Sequence, residues 1–361
     1  MAPSLFSQSF YGHKKQVEEP TNSAQREHPL EHRRDLVPTM KHYICYRLLI
    51  STGLLAVITF FTFILMHCSP GDFVSQLEAN PSISPSYINA LKEQFGLNKP
   101  WYIQYFYWVK CICSLNFGES WIYHMPVVQL FKQRIASTLL LTTSALALGW
   151  TSAIICAIIA AIYRYSCFDY FMRFISYLFI SLPEFFLALL GIYFAAHSSL
   201  FPMIGRSSIA YDFLPAHEKC IDLLQHLCLP AFVLSLNIFA HIFRITRNCF
   251  LDNINTPYLK VARAKGVSAF GLYFQHALRN TLNPLITHFG FALANLLSGA
   301  LLVENVFNYP GLGQLLFEAF MAKDQYVVMG SVIISSCMLM LGNFLADLLL
   351  YYNHPRLRPK T

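Results

Sequence analysis

Charged residues are scarce in this chain of 361 residues. Asp, Glu, Lys and Arg make up 12% of it and hydrophobic residues 55%, whereas a soluble domain has roughly 25% charged residues. This shortage excludes an ordinary soluble domain and predicts a membrane protein. The basic residues lie beside apolar runs and not along a soluble stripe, so nucleic-acid binding is not expected.

Catalytic and metal-binding motifs are missing as well. The chain contains no H-E-x-x-H, no G-x-S-x-G and no G-x-x-x-x-G-K-[ST] phosphate loop. Its 13 histidines form no paired ligand spacing, and its 10 cysteines include no C-x-x-C pair. We therefore expect no enzyme activity, metal or cofactor on this chain. A disulfide between Cys220 and Cys228 stays open, because it requires an oxidising compartment.

Long apolar runs are what the chain has in abundance. Six of them reach the length of about 20 residues that a bilayer-spanning helix needs. Arg and Lys concentrate at the start, in the loop 164–173 and in the tail after 351, so both termini are expected in the cytoplasm. The predicted fold class is thus an all-α polytopic membrane protein. Its expected spans are about 48–66, 137–163, 171–196, 227–243, 281–303 and 326–351.

Two regions are predicted to have different organisation. Residues 1–40 are polar and lack a periodic apolar face, so they are expected to form a disordered cytoplasmic extension of the transmembrane domain, 41–361. Short helices are predicted in the loops on the opposite side of the membrane. They should begin after Ser84, at Pro100 and after the Pro310–Gly311 turn.

A basic segment, 244–280, separates the fourth and fifth apolar runs. Its punctuation predicts two short helices, one capped by Thr256 with Pro257 in its first turn and one capped by Ser268. Gly266 should end the first helix in the left-handed conformation. The segment has one acid, Asp252, and its cations are Arg244, Arg247, Lys260, Arg263, Lys265 and Arg279. It is either a docking surface or a positive loop that only obeys the topology rule.

Glu184 is an ionisable residue near the middle of the third apolar run, where it follows Pro183. Burial of such a group in a membrane is costly, which makes it a functional candidate. Two interpretations stay open. Glu184 faces a translocation path and meets a cationic group of the solute, or it makes a hydrogen bond between helices. Asp347, near the end of the last run, is expected to be structural.

Five segments resemble, in order, those of a known family. They are RLLISTGLLAVITFFTFILMHCSPGD, YLKVARAKG followed by HALRN, ENVFNYPGLG, AKDQYVVMG and NFLADLLLYYNHPRLR. From about residue 40 to its end, the chain resembles the permease subunits of bacterial ABC importers, in the dipeptide/oligopeptide group. The resemblance implies the type I permease fold and a multi-pass location in the bacterial inner membrane.

The resemblance also implies partners. The chain would form a translocation path with a second, related permease, above two cytosolic subunits that bind ATP and Mg. An extracytoplasmic solute-binding protein would deliver the solute. Peptide is the expected solute, oligopeptide before dipeptide, and nickel and glutathione carriers share the scaffold. An ion-coupled secondary transporter is the alternative of another class, and it would need paired acids or broken helices at mid-membrane.

Residues 257–266 match the helix that docks on the ATPase in this family. The small residues Ala262 and Gly266 would allow close approach, and the nearby cations would pair with acids on the ATPase rim. Two departures stand out: Lys260-Val261-Ala262 replaces the Glu-Ala-Ala of ABC importers in general, and Glu184 replaces a small polar residue. The implied docking residues are Tyr258, Lys260, Ala262, Arg263, Ala264, Lys265 and Gly266.

Overall fold

The computed structural model describes residues 40–69, 71, 84–94, 96, 98–198 and 201–353. Within these ranges the backbone alone is described at some positions, such as 293–299 and 346–353. The predicted extension 1–40 lies outside the described residues except for Met40, and so does the side chain of Asp347. The chain divides into the units Met1–Ile44 and Cys45–Thr361, and the description below concerns the second.

The described part of the chain consists of helices joined by turns and loops, with one isolated β-bridge between Glu119 and Pro126. A 3₁₀ turn, Tyr211–Phe213, precedes the longest helix, and a π-helix, Gly271–Ala277, leads into the helix that follows it. The α-helices are α1 Met40–Cys68, α2 Pro85–Gln94, α3 Trp101–Cys113, α4 Val127–Ile162, α5 Cys167–Ser181, α6 Glu184–Ser198, α7 Ala216–Ile254, α8 Pro257–Ala264, α9 Leu278–Val306, α10 Leu312–Met321 and α11 Gln325–Asn353.

Four helical stretches in the described residues are long and apolar enough to cross a membrane. They are Tyr46–Cys68, Val127–Ile162, Ala216–Ile254 and Gln325–Leu345. A fifth span is counted if α5 and α6 together form one. The predicted span 281–303 lies within α9, which is not among these stretches. The count of six and the position of the termini therefore stay predictions.

The third predicted span, 171–196, is wrong as a single straight helix. The helix is interrupted between Ser181 and Glu184, and its two halves, α5 and α6, are bent by 106° relative to each other. Pro183 has no N–H to donate and disfavours a helical residue before it. Leu182 accordingly has extended backbone, with φ −92° and ψ 131°.

The fourth predicted span, 227–243, lies within a longer helix. It forms the middle of α7, which runs for 39 residues from Ala216 to Ile254 and contains Pro230. Cys220 and Cys228 are both free and lie on this helix, about 12 Å apart along its axis at 1.5 Å per residue. That separation is too long for a disulfide between them.

The centre of the bundle is the contact between α4 and α7, which small residues bring close together. Ala153, Ala157 and Ala160 of α4 are fully buried against Phe243 of α7. A Cβ atom on Gly149 would lie 2.9 Å from the Cβ of Ile238 and 3.0 Å from the carbonyl oxygen of Ser235. Close packing of this kind, and not hydrophobic exclusion from water, holds helices together inside a membrane.

Gly149→Ala is expected to destabilise the protein by about 1–3 kcal/mol, because the added methyl group overpacks the contact between α4 and α7. Gly53→Ala is the matched control, since a Cβ atom at that position of α1 would meet nothing within 4 Å. The thermal unfolding midpoint of the purified protein in detergent measures the difference. Equal midpoints for the two variants would contradict the close packing.

The short helices begin where proline predicts. α2 starts at Pro85, and Pro100 precedes α3. Trp108 of α3 is 5% exposed and packs with Phe63 of α1 and Met329 of α11, which attaches α3 to both helices.

Candidate functional site

Helix α8 forms the predicted docking segment, and local backbone chemistry sets both of its ends. Pro257 occupies its first turn, and Gly266 has the left-handed conformation with φ +83°, both as predicted. Thr256 is the N-cap residue, as predicted, but its side chain makes no capping bond: its hydroxyl donates to the carbonyl oxygen of Asn253, 2.6 Å away on the preceding helix. A Cβ atom at Gly266 would meet nothing within 4 Å, so its backbone conformation favours glycine there.

The second predicted helix of this segment is not a separate element. The hydroxyl of Ser268 accepts from the amide of Gly271, 3.3 Å away, which agrees with the predicted cap. The chain then continues as the π-helix Gly271–Ala277 directly into α9. Such widened turns are rare and occur frequently at functional sites. The docking segment is thus one short helix followed by the entrance to a long one.

Leu259 anchors α8 on the rest of the protein. It is 1% exposed and packs in a cluster that we call the platform. Ala262 is half-buried against the same cluster, so its own chain covers part of it, and its contact with an ATPase stays a prediction. The platform consists of Ile158, Ala161, Phe250, Leu259, Leu272 and Ala277.

The outward face of α8 combines cations with apolar surface. Lys260, Arg263 and Lys265 are exposed, as are the Ala264 and Gly266 positions between and after them. Val261 is 54% exposed and Tyr258 is 42% exposed. The hydroxyl of Tyr258 also accepts from Asn280 Nδ2 at 2.7 Å and donates to the carbonyl oxygen of His276 at 3.3 Å. Tyr258 therefore ties α8 to the π-helix and to α9, in addition to lying on the surface.

Arg247 is not part of this surface, although it belongs to the basic segment. It is 8% exposed and binds Asp169 through two hydrogen bonds, from Nε at 2.6 Å and from Nη2 at 2.7 Å. Asp169 is fully buried near the start of α5, and it also accepts from the amide of Tyr165 at 3.1 Å. Arg173 lies 3.6 Å from the same carboxylate. The pair joins the start of α5 to the part of α7 that leads into α8.

Glu184 begins α6 directly after the break in the third span. Its Oε1 accepts from Asn237 Nδ2 of α7 at 2.6 Å, so the predicted hydrogen bond between helices is present. Glu184 is also only half-buried. The geometry is therefore compatible with both interpretations, and a role of Glu184 in a translocation path stays a prediction.

Two buried acids organise the opposite end of the molecule, in the segments ENVFNYPGLG and AKDQYVVMG. Glu304 accepts from Thr138 Oγ1 at 2.7 Å and from the amide of Gly313 at 2.7 Å, where α10 begins. A Cβ atom on Gly311 would lie 2.1 Å from the Glu304 side chain, which explains the glycine. Asp324 accepts from Ser120 Oγ at 2.6 Å. Its burial raises the pKa of that carboxyl group.

Tyr123 lies in the loop that Asp324 holds. Its hydroxyl donates to Glu318 Oε2 at 2.6 Å. Burial, with this hydrogen bond and the charge of Glu318, raises the pKa of Tyr123 to about 12. These internal hydrogen bonds join the loop 120–123 to α10 and to Asp324, which precedes α11.

Metal binding has no support in the described residues, because no group of three or more His, Cys, Asp and Glu side chains there could hold an ion. Residues 153–359 match the family model for the binding-protein-dependent transport system inner membrane component, and residues 40–142 match its N-terminal membrane component. The chain belongs to this family of ABC importer permeases.

Curated relatives agree with this assignment over most of the permease. A peptide permease protein of Brucella suis is 36% identical over 88% of this chain and 99% of its own length. The oligopeptide transport system permease protein AppB of Bacillus subtilis is 34% identical over 88% and 99%. The di/tripeptide transport system permease protein DppB of Pseudomonas aeruginosa is 33% identical over 83% and 94%.

A solved structure supports the fold. A chain from an inward-facing structure of the MetNI methionine ABC transporter is superimposed with a TM-score of 0.50 at 16% identity. The match covers 63% of the permease and 97% of that chain. The permease is therefore an all-helical, multi-pass inner-membrane protein of the ABC type I permease fold. Membership of the family implies ATPase and solute-binding partners.

Two polar contacts of the permease were not predicted from the sequence as pairs of residues. Asp169 and Arg247 lie 78 residues apart, and Glu184 and Asn237 lie 53 residues apart. The sequence did contain a signal for the pair of Asp169 and Arg247. Asp169 is the lone acid of the basic loop 164–173, and Arg247 is, after Arg244, the basic residue nearest to an apolar run. No signal in the sequence singled out Asn237.

Proposed function

We propose that this permease imports peptides, with oligopeptide as the first solute and dipeptide as the second. The names of its relatives support peptide, since they describe oligopeptide and di/tripeptide transport. In this proposal a second, related permease completes the translocation path. Two ATPase subunits bind ATP and Mg on the cytosolic side, and an extracytoplasmic binding protein delivers the peptide.

The observation that carries the coupling role is the packing of α8, which is anchored on one face and exposed on the other. Leu259 fixes the helix to the platform, while its cations and Val261 remain exposed. The chain has no phosphate loop, so the energy of ATP must arrive from another subunit. A rigid helix that is anchored on one face and open on the other can transmit movement of such a subunit to α4, α7 and α9.

The proposed topology has six spans, with α8 and both termini in the cytoplasm. The positive charge of the segment 244–280 and of the loop 164–173 supports this orientation. In this orientation, the end of the molecule that contains Glu304 and Asp324 faces the binding protein.

A secondary transporter is the second candidate, because the break between α5 and α6 at mid-span is a feature that such proteins share. The acids of the described spans do not form a pair at this break. Glu184 is bonded there to the neutral amide of Asn237. The family favours the ABC importer.

Reconstitution separates the two candidates. Proteoliposomes with the permease, its related partner, the ATPases and the binding protein are expected to accumulate a labelled tripeptide or longer peptide only with ATP. A nonhydrolysable ATP analogue, or ATPases that lack the phosphate-loop lysine, should abolish uptake. Uptake by this chain alone, driven by an ion gradient and unaffected by the analogue, would contradict the proposal.

A further inference from the structure

Three side chains form a polar line along one face of α7. Asn237, His241 and Arg244 recur at i, i+4 and i+7, the spacing that places residues on one side of a helix. His241 and Arg244 are exposed and Asn237 is half-buried. The line starts in the middle of the apolar part of α7 and ends near the platform.

The broken span adds a group at each end of this line. Glu184 of α6 bonds to Asn237 at one end. The guanidinium of Arg244 lies over the ring of Tyr177 of α5 at the other end, 5.2 Å from the ring centroid. His241 lies between them, within electrostatic range of both Glu184 and Arg244. We call Glu184, Asn237, His241 and Arg244 the charged file.

The charges of Glu184 and Arg244 form no ion pair with the described residues. Among the residues that the structure describes, Glu184 has no cation within ion-pair distance and Arg244 has no carboxylate. The amide of Asn237 and the ring of Tyr177 orient the two groups without removing their charge. The file therefore has an unneutralised acid at one end and an unneutralised base at the other.

Lipid is an unsuitable neighbour for this face. Ionisable side chains within spans face a bundle interior or a water-filled cavity, because contact with hydrocarbon is costly. The exposed face of α1 shows the contrast, with Leu49 at 71%, Phe61 at 59% and Leu65 at 67% exposure. The face of α1 suits lipid, and the charged file suits an aqueous path.

The length of the file suits a short peptide. Asn237 and Arg244 are separated by about 10 Å along α7, at 1.5 Å per residue. An extended chain spans about 3.3–3.6 Å per residue, so the termini of a tripeptide are about 10 Å apart. A free peptide carries an ammonium group at one terminus and a carboxylate at the other. These charges are complementary to the acid and the base at the two ends of the file.

We propose that the charged file is a binding site for zwitterionic short peptides in transit, with the ammonium group on Glu184 and the carboxylate on Arg244. Asn237 holds Glu184 in position and Tyr177 holds Arg244. This inference rests on the proposed import of peptides and adds to it an orientation: the amino terminus lies deeper in the bundle, and the carboxyl terminus lies nearer to α8.

The first test compares blocked and free tripeptides in the complete reconstituted transporter. Glu184→Gln should lower uptake of the free tripeptide by at least about tenfold, the effect of one lost charge-assisted hydrogen bond, and leave the N-acetylated form at its wild-type rate. Arg244→Gln should do the same for the free tripeptide and spare the C-amidated form. An equal loss for free and blocked peptides in either variant would overturn the assignment.

Matched controls exist for both substitutions. Arg164→Gln removes an exposed arginine that lies over Tyr165 at 4.5 Å, as Arg244 lies over Tyr177, but outside the file. Glu218→Gln removes an exposed acid at the start of α7. Both should leave the ratio of free to blocked uptake unchanged. A changed ratio in a control would show that overall charge, and not the file, determines the preference.

A second measurement does not depend on delivery by the binding protein. In a chain whose native cysteines are replaced by serine, His241→Cys in the assembled transporter should react with a charged thiol reagent. Excess free tripeptide should protect it, and a peptide blocked at both termini should not. Leu54→Cys, on the exposed apolar face of α1, should stay unreactive.

The two experiments distinguish the failure of each proposal. An unreactive His241→Cys would show that the second permease covers the file, which overturns the peptide site. If the wild-type transporter imports no peptide while His241→Cys reacts without protection, the proposed peptide function fails together with the site. Import of peptide by the wild type, with reaction but no protection, overturns the site alone.

Discussion

Asp169→Asn is expected to destabilise the protein by about 3–5 kcal/mol and to abolish ATP-driven uptake, because it leaves the charge of Arg247 buried and unpaired. The contact is bidentate and short, and Asp169 is fully buried. The thermal unfolding midpoint in detergent measures the loss of stability, and reconstituted uptake measures the loss of function. A neutral amide at this position can still accept a hydrogen bond, but it cannot balance the guanidinium.

Arg173→Gln is the control within the same site. Arg173 lies 3.6 Å from the same carboxylate but is 32% exposed, so water screens its contribution. We expect it to change the unfolding midpoint little. The exchange Asp169→Arg with Arg247→Asp should recover part of the stability that either substitution alone removes, because it restores opposite charges. Wild-type stability of Asp169→Asn would contradict the importance of the pair.

In the coupling role that we propose for α8, the pair of Asp169 and Arg247 is important because of the elements that it connects. Arg247 lies on the last turns of α7, seven residues before the helix ends at Ile254 and α8 follows. Asp169 lies at the start of α5, whose other end is the break before Glu184. The pair thus joins the seat of α8 to the broken span. Movement imposed on α8 therefore has a stiff connection to the break.

The sequence was sufficient where short-range chemistry determines the structure. Proline is favoured in the first turn of a helix, and α2 and α8 start at Pro85 and Pro257 as predicted. Gly266 has the predicted left-handed backbone, since residues with a Cβ atom rarely adopt it. The exposed cations of this segment, Lys260, Arg263 and Lys265, could also be predicted, because they lie close together in the sequence.

Contacts between distant segments could not be predicted in this way. The orientation of α8 depends on Leu259 packing in the platform, whose other residues come from three segments that are distant in the sequence, namely α4, α7 and the π-helix. The 106° break follows from Pro183 in kind but not in angle, because helices in membranes often contain proline with only a mild bend. Pro230 illustrates this within α7, which remains one helix.

Leu259→Ala is expected to weaken both the stability of the protein and its docking on the ATPases. The substitution removes a side chain that is 1% exposed from the platform, where such a change costs about 2–5 kcal/mol. The loss of stability concerns the packing of α8 on the platform, because α4 and α7 keep their own contact elsewhere. We expect the variant to insert in the membrane, to lose most of its co-purification with the ATPases, and to lose peptide uptake in proportion.

Val261→Ala is the matched change on the opposite face of α8, where the side chain is 54% exposed. If the exposed face contacts the ATPase, this variant should weaken co-purification while leaving the unfolding midpoint at the wild-type value. Leu259→Ala should lower both. The two readouts therefore assign each side of the helix independently: Leu259 acts through the platform, and Val261 acts through the partner. Unchanged co-purification in both variants would show that the ATPase docks elsewhere on the chain.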